Sequence, residues 1–497
     1  PRGKPVMKKS KVKPQTLKGF QDLFPEDMIP RMKVVDIIRG VYERFGFVPV
    51  DTPMLEHLEI LLGPAGEETN KQIFRFDSPE EDPVGMRFDL TVPFARLLSQ
   101  YRQDIKLPFR RYQMGPVFRA DKPGPGRFRQ FTQLDIDIAG AKTVAADAEV
   151  MAAVCQAMRA LKLSRLADAE GNEVQGFELR ISNRRLVDAL LEGNGVTDAA
   201  TLKHTLSVMD KLQKVGIEKV RRELGPGRVD ESGDPIPGVR LPEPVIEKIV
   251  EYIGIHASTR NELVQALAER LPDSPESAAA LDEMRELDAC LGALGCTEAE
   301  AVFDPSLTRG LDYYTGPVFE VALPTAPEFG SVGGGGRYDG LCDRFQAQQV
   351  PATGGSIGID RLLAALTHLG AAKAARTTVE VCIATVGRVG REEVLKVATE
   401  LRAAGINTLT YMGNLKKGMS VQLSDADRYE VPVAVILGED ELARGEVAVK
   451  DLIAGKEVRR DIEDRDAYRE AGRQTQVTAP RAEMVRVVRE MLAPPGA

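Results

Sequence analysis

The chain has 497 residues, too many for one hydrophobic core, so it should divide into two to four domains. Its formal net charge of -8 argues against wholesale coating of DNA, although it leaves room for a polyanion held on a local basic surface. Five scattered cysteines with no C-x-x-C pair support neither a disulfide scaffold nor a structural zinc site, and no apolar stretch approaches the roughly 20 residues of a membrane span. The cytoplasm is the expected compartment.

Residues 1–16, with Lys8, Lys9, Lys11 and Lys13, read as a basic N-terminal arm; no apolar core follows that would make them a signal. From Pro25 to Phe45, apolar residues at Ile29, Met32, Val35, Ile38, Val41 and Phe45 recur at helical spacing. Gly46 ends that helix, and F-V-P-V-D-T-P is extended, with a proline that suits an edge or an interface. A short strand is expected at 73–76, then a strand to about Asp89 and a helix from Val92, with Thr91 as a candidate cap.

The next segment is rich in arginine, and its second half, Q-M-G-P-V-F-R, is strand-like. A Gly/Pro loop carrying Arg127 and Arg129 follows, and then F-T-Q-L-D-I-D-I-A-G alternates cleanly. Phe131, Gln133, Asp135 and Asp137 share one face of that strand, while Thr132, Leu134, Ile136 and Ile138 share the other. The polar face is either solvated or the floor of a site; nearby arginines favour the floor, because clustered carboxylates need a cation beside them. Singly, Asp89, Asp135 and Asp137 could cap a helix or hold an ammonium group, an imidazole N–H or a metal.

A helix is expected at 145–162, a strand at 178–183 and a short helix at 184–193. Residues 194–300 then read as a mostly helical insertion, with segments at Lys211–Leu224, Pro244–Ile255 and Glu262–Leu271 and a loop G-P-G-R-V-D-E-S-G-D-P-I-P-G. The sheet resumes at R-G-L-D-Y-Y-T-G-P-V-F-E-V, residues 309–321, where a tyrosine pair stands between glycines at the mouth of a strand. By itself this run could be an ordinary sheet-edge aromatic pair.

Four glycines at 333–336 lack the Lys-Ser/Thr of a phosphate loop, and they fit close backbone approach beneath a ligand or a tight sheet turn. G-G-S-I-G reads as small packing around Ser356 before a helix that starts near Ile357 and carries Arg361. The four histidines are isolated from one another, so histidine-base and metal-first chemistry are poor candidates and no metal ligand is assigned. Residues 367–377 read as a linker, after which strands and helices alternate as in a small α/β domain with a mixed sheet.

Taken in order, these segments resemble the class II aminoacyl-tRNA synthetases. The helix at 25–45 with its strand to Pro53 is similar to the dimer-forming first class motif, F-R-A-D at 118–121 with its loop and strand to the second, and G-I-D-R-L at 358–362 to the third. In that last motif Asp360 stands where glutamate is usual. R-G-L-D-Y-Y-T-G and D-L-T-V-P-F-A-R resemble the histidyl-tRNA synthetase family, and L-G-E-D-E-L-A-R-G-E-V-A-V-K-D-L resembles its anticodon-binding domain.

The resemblance implies an α+β fold. A catalytic domain on an antiparallel sheet would span 17–193 and 301–366, interrupted by the helical insertion at 194–300, and a mixed-sheet anticodon-binding domain would span 378–497. It implies ATP-dependent ligation of L-histidine to the 3′ end of tRNA(His) through a histidyl-adenylate, with Mg2+, by a homodimer that binds neither DNA nor membrane. Asp89, Thr91, Gln133, Asp137, Tyr313 and Tyr314 would hold histidine; Arg119 and Arg309 would meet its carboxylate and the α-phosphate; Arg127 and Arg361 would bind ATP. Arg309, Arg119 and Arg361 are then the catalytic arginines, and Lys416 and Lys417 are candidates to meet the anticodon. Two rival readings share the catalytic fold. One is a non-catalytic paralogue serving as regulatory subunit of ATP phosphoribosyltransferase; the other is an RNA-binding stress sensor. The presence of Arg309 and of the full C-terminal domain opposes the first, and the retained ATP arginines oppose the second.

Overall fold

The computed structural model describes residues 12–62, 70–124, 127–167, 170–230, 233–307, 314–414, 417–457 and 475–493. They cluster into two compact units, one within residues 12–22 and 31–372 and one within residues 23–30 and 373–493.

The larger unit is built on an eight-stranded sheet. Its strands are β1 (Val48–Pro49), β2 (Phe109–Phe118), β3 (Gln130–Ala139), β4 (Glu178–Asn183), β5 (Ala301–Phe303), β6 (Pro317–Ala322), β7 (Gly333–Arg337) and β8 (Ala352–Gly358). They lie in the order β1-β2-β3-β8-β7-β6-β4-β5. All pairings are antiparallel except those of the edge strands, β1 with β2 and β5 with β4. The proline-bearing segment at 48–49 is indeed at an edge, where a missing N–H costs least.

Helix α1 (Pro25–Arg44) follows the periodicity except at Met32, which is exposed, and ends before Gly46, whose φ of 78° is left-handed. Its buried Ile38, Val41 and Tyr42 join Leu134, Ile136 and Ile138 of β3 and the apolar residues of α3 (Ala145–Ala160) in one core. Helix α2 (Thr91–Gln100) begins one residue before the expected start. Thr91 is not its cap. Asp89 is, its Oδ1 accepting from the backbone N–H groups of Thr91 at 3.0 Å and Val92 at 2.9 Å.

Three further expectations are corrected. The G-P-G-R-V-D-E-S-G-D-P-I-P-G loop holds a two-stranded hairpin, Gly227–Val229 against Pro235–Pro237. The helix expected at Lys211–Leu224 is broken by Gly216 into Leu212–Val215 and Ile217–Leu224. G-G-S-I-G belongs to β8, so the following helix, α4 here (Ile359–His368), starts at Ile359 and Arg361 is its third residue. The other described residues of 194–300 are mostly helical, and their apolar side chains continue the core of the larger unit.

The smaller unit carries a five-stranded mixed sheet of β9 (Val381–Val386), β10 (Thr408–Thr410), β11 (Val433–Gly438), β12 (Glu446–Asp451) and β13 (Gln476–Pro480), in the order β10-β9-β11-β12-β13. Helices Arg391–Ala403 and Met484–Leu492 pack on it around Val397, Leu401, Val435 and Val488. Among the described residues no helix is long and apolar enough to cross a membrane.

Candidate active site

A cleft of about 460 Å3 opens over the middle of the large sheet, between β3, β6, β7 and β8. The glycines of β7 and β8 give it room. They are neither a turn nor a phosphate loop: Gly333–Gly336 forms a regular inner strand. At Gly335 a Cβ would come within 2.0 Å of the Gly354 carbonyl oxygen, so no side chain fits between the two strands, and the cleft is floored largely by backbone.

Five of the sequence-derived candidates line this cleft together: Arg119, Arg127, Gln133, Tyr314 and Arg361. Arg119 follows the last residue of β2 and lies against the rings of Phe88 and Phe131, at 4.2 and 5.1 Å, with its Nε donating to the Phe88 carbonyl at 3.3 Å. Arg127 sits on the loop before β3 and pairs with Asp121, Nε to Oδ2 at 3.1 Å. Arg361 projects from the first turn of α4 and donates from Nη1 to the Ser331 carbonyl at 2.7 Å. Gln133 donates from Nε2 to Ser356 Oγ at 2.7 Å across the β3–β8 pairing, so Ser356 is a polar wall residue of the cleft as well as a small one. Three guanidinium groups on one opening suit a polyphosphate, because each presents a planar fork of donors.

The polar face of β3 is not solvated. Asp135 and Asp137 are each 2% exposed and lie behind the cleft lining, on the same strand face as Gln133. Their counter-charge is Arg111, wholly buried on the neighbouring strand, with Nη2 2.6 Å from Asp137 Oδ2 and its guanidinium 4.4 Å above the Phe94 ring. Tyr338 donates its hydroxyl to Asp137 Oδ1. Burial pushes the Asp137 carboxyl up from its ordinary range, with Arg111 pulling it back. Asp135 is pushed up to about 7, chiefly by burial and further by Asp137, against the pull of Arg111. Asp89, spent on capping α2, is likewise raised by burial and held down by the helix N–H groups and Arg119. Thr91 belongs to the first turn of that helix and does not line the cleft.

Arg309, Tyr313 and Lys416 lie outside the described residues, whereas Lys417 is exposed in the smaller unit, two residues before the helix Met419–Arg428. Sequence reasoning missed Arg111, Tyr338 and Glu320. Arg111 was legible in principle, since it stands directly opposite Asp137 in the β2–β3 register. Glu320 belongs to β6 and lines the cleft while only 8% exposed.

Comparison with known proteins bears on this arrangement. Residues 19–362 match the family model described as histidyl-tRNA synthetase, and residues 380–491 match that of the anticodon binding domain. The chain is 41% identical over 503 residues to a histidine–tRNA ligase of Rhizobium meliloti, covering 98% of this chain and 97% of the relative. It is 39% identical to histidine–tRNA ligases of Brucella suis and of Paracoccus denitrificans, again over 98% of the chain. Among solved structures, histidyl-tRNA synthetase from Nostoc superposes with a TM-score of 0.78 at 28% identity, covering 97% of this chain and all of the other. A Bacillus halodurans protein described as an ATP phosphoribosyltransferase regulatory subunit/histidyl-tRNA synthetase shares the fold at a TM-score of 0.68 and 22% identity.

Proposed function

Because the chain belongs to the histidyl-tRNA synthetase family, we propose that the cleft over β3, β6, β7 and β8 is where it activates histidine. The protein is a histidine–tRNA ligase: it joins L-histidine to the 3′ end of tRNA(His) through a histidyl-adenylate, consuming ATP and releasing pyrophosphate and AMP. The observation that carries the assignment of the site is the convergence of Arg119, Arg127 and Arg361 on one opening that also presents Gln133 and Tyr314.

In the activation step the histidine carboxylate attacks the α-phosphorus of ATP and pyrophosphate leaves. Both reactants are anions, so their repulsion must be offset before orientation can help. Arg119 meets the carboxylate and α-phosphate; Arg361 and Arg127 hold the outer phosphates; Arg309 opposes the charge that develops on the α-phosphate. Gln133 reaches the α-ammonium directly, and Asp137 behind it supplies counter-charge. Tyr314 accepts or donates at the imidazole, Tyr313 shapes the pocket, and Asp89 and Thr91, which do not line the cleft themselves, support the amino-acid side from the start of α2. A wall built for an imidazole N–H leaves polar groups unpaired against an apolar analogue, which is a strong basis for selectivity.

The donor set also fits Mg2+. That ion is held by one or two carboxylates together with substrate phosphates, not by an all-protein cage. Among the described residues no three His, Cys, Asp or Glu side chains group as a metal site, whereas Glu320 is one of the carboxylates that line the cleft. Glu320 would help hold such an ion beside the phosphates of ATP, where its charge would offset theirs. No histidine lines the cleft among the described residues, and the phosphate of the adenylate serves as base when the tRNA hydroxyl attacks. The helical segment 194–300 clamps the acceptor arm and residues 378–497, with Lys416 and Lys417, meet the anticodon; the enzyme works as a homodimer through α1 and β1.

Histidine-dependent ATP–pyrophosphate exchange tests the assignment. Exchange is expected with histidine and not with other amino acids; absence of exchange, or equal exchange with any other amino acid, refutes it.

A further inference from the structure

Asp360 and Arg361 are adjacent at the start of α4 and both border the cleft, yet their side chains are held by different partners. Arg361 enters the cleft. Asp360 turns towards α1 and the edge of β3, where Arg31 grips it from both sides: Nη1 to Oδ1 at 3.0 Å and Nη2 to Oδ2 at 3.0 Å. The same Oδ2 accepts from the backbone N–H of Thr132 at 2.6 Å, and Arg31 Nη2 donates to Thr132 Oγ1 at 2.5 Å. Arg31 is 7% exposed and the Asp360 side chain 12%, so the fork is shielded from solvent. Thr132 stands one residue before Gln133 on the strand that floors the cleft.

We propose that Asp360 is a positioning residue for Arg361, locked by Arg31 and Thr132, and that this lock sets the affinity for ATP. A bidentate arginine–carboxylate pair fixes direction as well as distance. With one residue of the first helical turn bound to both α1 and β3, the turn cannot rotate, and Arg361 is delivered to the cleft at one angle. The carboxylate also sits in the first turn of α4, where negative charge is favoured by the helix dipole. The proposal rests on the reading of the cleft as an ATP site, and it adds that α1, which does not line the cleft, acts on that site through a single ion pair.

The test uses the full chain and three variants, Arg31→Lys, Asp360→Asn and Asp360→Glu. The first two keep size and lose the two-pronged pair; the third keeps it. In histidine-dependent exchange, Arg31→Lys and Asp360→Asn should raise the KM for ATP about tenfold while the KM for histidine stays within about twofold, and Asp360→Glu should remain within about threefold of the parent. An unchanged KM for ATP in Asp360→Asn overturns the proposal. So does a parallel rise in both KM values that tracks a fall in melting temperature, because that marks a merely structural pair. Should the parent chain show no exchange, the assigned activity fails, but calorimetric titration with ATP still decides this point. About tenfold weaker ATP binding by Asp360→Asn supports the lock, and equal binding overturns it.

Discussion

Replacing Gly354 by alanine puts the tightest part of the site under load. Gly354 lies on β8 opposite Asp137 in the β3–β8 register. A Cβ there would stand 1.9 Å from Asp137 Oδ1 and 2.7 Å from the Ile136 carbonyl oxygen, whereas ordinary contact begins near 3.4 Å. The carboxylate must therefore retreat by roughly 1.5 Å in a close-packed interior. It has nowhere to go without releasing the Tyr338 hydroxyl or the Arg111 guanidinium. Overpacking alone costs about 1–3 kcal/mol, and loosening a buried ion pair about 3–5 kcal/mol, so a loss of about 3–5 kcal/mol is expected. In a unit of this size that lowers the melting temperature by about 5 °C or more. Gly340→Ala is the control, since its Cβ would meet only Asp343 Oδ2 at 3.6 Å. Differential scanning calorimetry of the two variants reads the difference, and the KM for histidine, measured in parallel, should rise for Gly354→Ala alone. A Gly354→Ala chain that melts within about 1 °C of the parent with an unchanged KM would refute the reasoning.

Arg309→Ala should slow adenylate formation by about 100-fold or more while leaving histidine binding nearly intact, as for loss of a donor aimed at developing charge; exchange within a few-fold of the parent contradicts that role. Asp135→Asn should change the pH dependence of stability. With its folded pKa pushed up to about 7, Asp135 holds its proton longer in the folded than in the unfolded chain, so its contribution is fully present below about pH 4 and is lost as pH rises to about 7. The melting temperature of the variant relative to the parent should therefore climb between pH 5 and pH 8, and a pH-independent difference would count against it. Excess EDTA should abolish exchange and Mg2+ should restore it; exchange that persists in the chelator would show that the phosphates need only the arginines.

Much of the architecture could be read from local pattern. The alternation of 131–138 placed Leu134, Ile136 and Ile138 in the core and Gln133, Asp135 and Asp137 together on the other face, and the structure keeps both sets. Strand 178–183 and helix 184–193 appear with the expected bounds, because period and cap agree there: Asn183 accepts from the Arg185 N–H. Boundaries failed where a local signal was ambiguous. Thr91 and Asp89 are both good capping residues two apart, and only the backbone path chose Asp89. G-G-S-I-G has the small residues of a turn, but in the sheet those residues are what allows β8 to lie against β7.

The sequence by itself determined which residue types are available and which strand face each occupies, since side-chain direction in a strand depends only on position along it. It also carried the family resemblance, on motifs from which Arg119, Arg127, Gln133, Tyr314 and Arg361 come to line one cleft. Only the tertiary structure decided which charges neutralise which. Arg111 with Asp137, and Arg31 with Asp360 across 329 positions of sequence, are pairings set by strand register and helix packing. No local period encodes them, and each is fixed because a buried charge left without its partner would cost more than the fold can spare.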